Sequence, residues 1–247
     1  REHKGLMWVL NHLKYVHKTD RSPYLLDRDY AGFFPLPDKK FRVQPLPLPL
    51  EGHDLVYIAD TYGVYASDFY LGDKSGKFSS LRYGGLEDSE ARLIRDAAAD
   101  GTPLIAEFNS FATPTGAEAR RILSEALGLE WSGWVGRIFD SLHAGGEIPA
   151  WAVEGYERQY GEKWDFGGPG LLLVHDDGRM VVLSARRDIS RDGITLDFEP
   201  GSRYALGAKS GLPYLYWFDI VRPQPGTTVQ AMFHLRVTES GKEMIKR

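Results

Sequence analysis

Two short apolar runs, each closed by polar residues and each leading toward a helix, constrain this chain more than any other feature. Asp54-Leu-Val-Tyr-Ile-Ala-Asp60 and Thr102-Pro-Leu-Ile-Ala-Glu-Phe108 have the length and continuity of strands buried on both faces. Between them, Glu87 to Asp100 sets Ala91, Ile94 and Ala98 on one helical face, and Gly101 stands where a left-handed residue ends a helix. After the second run, Thr115 and Glu118 have capping-box spacing, Ile122, Leu123, Ala126 and Leu127 form an apolar stripe, and Gly128 follows as the stop. Strand, loop and helix, repeated, predict a parallel sheet with crossover helices.

The rest of the pattern is arranged around that unit. Leu6, Val9, Leu10, Leu13 and Val16 recur at helical spacing and predict an amphipathic helix from about Gly5 to His17. Residues 19 to 49 read as irregular. Gln44-Pro-Leu-Pro-Leu-Pro-Leu50 is expected to be extended, because each proline bars its predecessor from the helical region. It reads as a strap packed over the core, or as a Pro-rich ligand for a partner. Ile148 to Tyr160 has Pro149 at its start and Gly161 at its exit, a further helix. Leu171 to His175 and Met180 to Ser184 flank Asp176-Asp177-Gly178, a hairpin signal. Ile194 to Phe198, Tyr214 to Val221 and Val229 to Val237 are further strands, and Thr238 to Arg247 opens another helix. The expected fold is an open three-layer α/β sheet with a parallel core and antiparallel strands added in the C-terminal half. Residues 1–247 read as a single domain, with a division into 1–165 and 166–247 as the alternative.

Composition narrows the function classes. The formal charge is −4 and no basic run appears, which argues against a nucleic-acid surface. There is no cysteine, so thiolate zinc sites, a thiol nucleophile and disulfide staples are all excluded. A cysteine-free domain fits an extracytoplasmic compartment, periplasmic or at the cell surface. No apolar run approaches the roughly eighteen residues of a membrane span. The start Arg1-Glu2-His3-Lys4 lacks an initiator methionine and reads as processed or trimmed, which leaves room for a signal or anchor lost upstream.

Ligands of parallel sheets collect beyond the carboxyl ends of the strands. Asp60, Thr61 and Tyr62 close the first run; Glu107, Asn109 and Ser110 close the second. If the strands are neighbours, Asp60 and Glu107 can orient sugar hydroxyls, hold a cation, or act as the acid and base of glycoside hydrolysis. The bland alternative has Asp60 capping a loop and Glu107 paired with an arginine. Asp219 becomes a third carboxylate in the cleft if its strand runs parallel to the first two. Trp131-Ser-Gly-Trp-Val-Gly-Arg137, with Phe139 and Asp140, is the most unusual local sequence. Trp134 can offer a sugar platform with Arg137 and Asp140 reading hydroxyls, or the indoles simply pack a loop against the sheet edge. Glu147, Trp151, Trp164 and Asp165 form a weaker set. The seven histidines show no zinc spacing, and the Gly-Gly pairs at 84–85, 145–146 and 167–168 belong to no dinucleotide or P-loop pattern. No GxSxG elbow is present. No cofactor is expected.

The order Asp54-Leu-Val-Tyr-Ile-Ala-Asp60, Tyr83-Gly-Gly-Leu-Glu-Asp-Ser-Glu90, Gly101-Thr-Pro-Leu-Ile-Ala-Glu107, with Leu127-Gly-Leu-Glu-Trp131 after the next helix, resembles the class I glutamine-amidotransferase-like, flavodoxin-like domains. The resemblance covers residues 50 to 135. Active members use a cysteine on a strand-to-helix turn with a histidine and a glutamate. The matching turn here carries Asn109 and Ser110, so the resemblance implies a non-catalytic version that binds a ligand at the old active-site edge or serves in assembly. The expectation is a non-enzymatic binding or accessory domain of a bacterial extracytoplasmic protein, for a carbohydrate or other small polar ligand. A glycan hydrolase with paired carboxylates and a protein–protein scaffold are the alternatives.

Overall fold

The computed structural model describes residues 3–50, 52–66, 79–205, 211–214 and 216–247. The first helix, α1 (His3–His12), is shorter than its apolar spacing predicts. Lys14 takes a left-handed φ of 64°, and the amides of Lys14 and Tyr15 return to the carbonyls of Asn11 and Leu10, a Schellman stop made without glycine. Residues 19–49 are not all irregular. They contain α2 (Leu26–Asp29) and a hairpin of β1 (Gly32–Leu36) with β2 (Lys40–Gln44). Its turn uses Asp38 and Lys39 at φ 59° and 56°, and Phe33 stacks on Phe41 across the strands at 5.0 Å. Pro35 inside β1 and a turn without glycine hide this hairpin from pattern reading.

The parallel unit forms, but small. β3 (Val56–Ile58) is followed by β4 (Val64–Tyr65), β5 (Leu81–Tyr83), α3 (Asp88–Ala99) and β6 (Leu104–Ala106). β3 and β6 run parallel in the register Val56 to Leu104 and Ile58 to Ala106. α3 carries a capping box between Glu87 and Glu90, buries Ala91, Ile94 and Ala97 in place of Ala98, and stops at Gly101 with φ 99°. α4 (Ala117–Leu127) ends at the left-handed Gly128 as predicted, but Gly116 is its N-cap and Thr115 is not. Ile58, Leu86, Ile94, Phe111, Ile122 and Leu123 make one core, with Leu46 and Leu50 of the Pro-Leu strap packed on it.

The predicted indole loop is a strand: β7 (Leu129–Phe139) is eleven residues long. After α5 (Ala150–Tyr160) come β8 (Gly170–His175), β9 (Met180–Ser184), β10 (Ile189–Phe198), β11 (Leu212–Pro213), β12 (Phe218–Pro223), β13 (Ala231–Val237) and α6 (Glu239–Lys246). Of the predicted strand at 214–221 only residues 218–221 are strand, in β12; Tyr214, Tyr216 and Trp217 lie outside it, and Leu215 is outside the described residues. An antiparallel sheet of order β12-β7-β8-β9 draws on strands from both sides of residue 165, and β11-β10-β13 forms a second. α5 covers one face of the larger sheet through Ala152 and Tyr156; Met244 of α6 and Ile194 of β10 cover the other.

The fold is therefore mixed α/β with five small sheets among the described residues, four antiparallel and one parallel, and not one open three-layer sheet. The reason is local. β3 and β6 offer three residues each, and β7, which leaves α4, pairs antiparallel with β8 and β12 and adds nothing to the parallel ladder.

Candidate functional site

Beyond the carboxyl ends of β3 and β6 the chain is held by a close set of polar bonds. Glu107 N–H donates to the Ile58 carbonyl at 2.9 Å, and Thr61 N–H donates to the Asn109 carbonyl at 3.3 Å, so the two segments stay bonded past the strands. Asn109 then turns through φ 68°, a left-handed conformation that asparagine tolerates better than most residues. Its carbonyl accepts the Thr61 hydroxyl at 2.9 Å, and Thr61 Oγ1 lies 2.9 Å from Thr115 Oγ1. Thr115 Oγ1 also accepts the Leu86 amide at 3.2 Å, so the residue read as a helix cap instead ties three loops together. Ser110 is fully buried and donates to the Glu107 carbonyl at 2.9 Å, which commits its hydroxyl to backbone.

Asp219 enters this edge from the other sheet. Its strand β12 runs antiparallel to β7 and pairs with it, so the parallel arrangement that sequence reasoning required of it does not occur. Even so, Asp219 Oδ2 accepts the Asn109 backbone N–H at 3.1 Å. Oδ1 is buried and has no hydrogen-bond partner among the described residues. Burial pushes this carboxyl up to about 7, with the charge of Asp176 adding to the effect and the Asn109 bond opposing it. Asp176 itself accepts Arg120 Nη1 at 2.6 Å and Trp131 Nε1 at 2.9 Å, and Trp131 stacks on Phe111 at 5.8 Å.

Tyrosines surround the remaining carboxylates. Tyr57 is raised to about 12 by burial, by its hydrogen bond to Glu107 and by that carboxylate's charge. Tyr214 is raised by burial and by the charges of Glu107, Tyr216 and Asp219. Glu107 is exposed, whereas Asp219 lies deeper, so the two acids sit at different depths of one neighbourhood. Asp60 keeps other company: burial raises Tyr30 and Tyr83, and the charge of Asp60 contributes to both. Tyr62 is exposed beside it in sequence. No arginine pairs with Glu107 among the described residues.

The structure does not bring Trp134, Arg137 and Asp140 into one platform. β7 is a strand, so residues three apart point to opposite faces. Trp134 packs edge-on to His175 at 4.9 Å, while Arg137 pairs with Glu147 at 2.7 Å and lies over Phe139 on the other side. Asp140 is exposed just past the strand. Sequence reasoning missed Tyr57, Thr115, Trp131 and Asp176 as members of the strand-end neighbourhood. Thr115 carried a signal, a threonine directly before Gly116, but the capping pattern claimed it.

A carboxyl with one unused buried oxygen, an exposed carboxylate and ordered tyrosine hydroxyls can accept and donate to a small polar molecule. Among the described residues no three His, Asp or Glu side chains are grouped to hold a metal ion, and no helix is long and apolar enough to cross a membrane. With no cysteine, the chain supplies no thiol nucleophile for glutaminase chemistry. Comparison with protein-family models, with curated proteins and with solved structures gave no match.

Proposed function

We propose that this chain is a non-enzymatic ligand-binding or accessory domain of a bacterial extracytoplasmic protein. Its ligand is a small polar molecule with hydroxyl or amine donors, a carbohydrate first among them. The binding edge runs from Glu107 through Asn109 to Asp219. The observation that carries this reading is the unpartnered, buried Oδ1 of Asp219. A buried acceptor without a donor costs stability, and a donor brought by a ligand recovers it. The left-handed turn at Asn109, three residues past a strand of a parallel pair, supports a glutamine-amidotransferase-like ancestry in which the old active-site edge has lost its cysteine.

A thermal-shift screen of mono- and oligosaccharides, amino acids and amines tests the reading. Ligands that bind the native state raise the melting temperature by mass action. The expected result is a dose-dependent rise that disappears in both Asp219→Asn and Glu107→Gln while those variants stay folded. No shift with any member of the panel overturns the small-ligand reading and favours a scaffold.

A further inference from the structure

α1 and the turn after it half-bury Leu6, Met7 and Leu10 but leave their other apolar side chains exposed. Among the described residues none of the three cores draws on a residue of α1, and the helix packs chiefly against the short α2. A polar tie also holds it in place: the Asn11 side chain bonds both ways to the Tyr24 backbone, at 2.7 and 3.1 Å. Trp8, Val9 and Leu13 are 66%, 42% and 59% exposed, and Tyr15 and Val16 beyond the stop are exposed as well. A ten-residue helix is marginal in water and normally owes its stability to burial of one face. Here that burial is only partial.

Charge indicates what covers it. From residue 3 to residue 19 the chain has no Asp or Glu, though the whole chain is net negative, and Lys4, Lys14 and Lys18 are all exposed. Apolar and aromatic side chains flanked by lysines whose stems can lie along an apolar surface are the composition of a helix in a lipid interface, with indole and phenol rings at the headgroup level. We propose that the segment from Lys4 to Lys18 docks on an anionic lipid bilayer, lying in its surface without crossing it. The surface potential of such a bilayer attracts the lysines, and the acyl boundary takes Val9, Leu13 and the aromatic rings.

The absence of cysteine allows a clean test on the whole chain, since Val9→Cys gives a single labelling site for an environment-sensitive fluorophore. The labelled chain should co-sediment with vesicles of equal phosphatidylglycerol and phosphatidylcholine, blue-shift on doing so, and ignore vesicles of phosphatidylcholine alone. Replacing the three lysines in K4Q/K14Q/K18Q should weaken partitioning by roughly a hundredfold. Their exposure predicts an unchanged circular dichroism spectrum and melting temperature. Absence of binding to the anionic vesicles overturns the proposal. So does a label already shielded in lipid-free buffer together with a dimeric mass by sedimentation, which assigns the face to a second copy of the chain.

Discussion

The backbone N–H of Asn109 donates to Oδ2 of Asp219 at 3.1 Å, joining positions 110 residues apart. One partner stands in a left-handed turn after β6, and the other on the edge strand β12. Through this bond the small parallel pair and the antiparallel sheet meet at a carboxyl whose second oxygen has no donor among the described residues. Native interiors rarely leave such an atom unmet, so under the proposed function this contact is where ligand chemistry and fold stability would be coupled.

The stability of the chain should carry the mark of Asp219. Its carboxyl titrates at about 7 in the fold, against about 3.9 in an unfolded chain. Between those values the folded state binds more protons, so this group makes stability fall as pH rises from about 4 to about 7, with no further change above. Asp219→Asn removes that dependence. At pH 8 the variant should be the more stable protein, by on the order of 1–3 kcal/mol, and the gap should close near pH 4. Urea denaturation of both proteins at the two pH values measures it. A variant that is less stable at pH 8 means that the ionised carboxylate is compensated in the fold.

Asp176 should tune that titration. Its charge acts on Asp219 in the direction that raises the carboxyl. In Asp176→Asn this charge is lost and Arg120 loses its 2.6 Å partner, and both changes favour the ionised form of Asp219. Carboxyl-carbon NMR should therefore find the Asp219 midpoint lowered. A midpoint that stays at its parent value assigns the whole displacement to burial.

How much of this was legible in the sequence depends on where each signal came from. Strands β3 and β6, helices α3, α4 and α5 and the β8–β9 hairpin follow from periodicity and glycine stops, because their determinants lie within about a dozen residues. β7 was hidden because it reads as loop: Gly133 and Gly136 interrupt it, and their purpose is remote. A side chain at Gly136 would collide with Leu173 and Phe218, so the glycine is set by strands 37 and 82 residues further along. Asp60, Thr61, Glu107 and Asn109 were readable as strand ends. Asp219 could be noticed but not placed, since its role rests on β12 pairing with β7. Thr115 shows the reverse failure, a correct local pattern overruled by a distant hydroxyl, that of Thr61.

Close backbone approach at the site edge should make Gly85 intolerant of any side chain. It has φ 80°, donates to the Thr61 carbonyl at 2.7 Å, and a Cβ there would stand 2.7 Å from the Pro114 carbonyl oxygen. Gly145 has a nearly equal φ of 85° with open space around it, which separates the two penalties. Gly145→Ala should cost about 1 kcal/mol from backbone conformation alone. Gly85→Ala should cost roughly 1–3 kcal/mol more, because the carbonyl must move. Equal losses in thermal melts of the two variants would show that the loop at 114–115 yields without resistance.

Asp188 should dominate the acid stability of the C-terminal half. It is fully buried, yet it accepts the Ser184 amide at 2.9 Å, Arg187 Nε at 2.9 Å and Nη2 at 3.1 Å, and the Ser240 hydroxyl of α6 at 2.7 Å. Burial works against the charged form, but the bonds from Arg187, Ser240 and Ser184 outweigh it and hold the carboxyl below its usual value. A lowered folded value contributes stability above the unfolded pKa of about 3.9, and that stability is lost as pH falls through the lower folded value. Asp188→Asn keeps the shape, removes the charge, and turns one acceptor into a donor facing other donors. At pH 7 it should lose on the order of 3 kcal/mol. The gap between parent and variant should narrow as pH drops below about 3.9, where the parent loses the same contribution. Limited proteolysis should find Lys242 and Lys246 cut sooner in the variant, because Ser240 no longer moors the start of α6. A parent–variant gap that stays constant from pH 7 to pH 2.5 would mean that packing around residue 188, and not its charge, holds the helix.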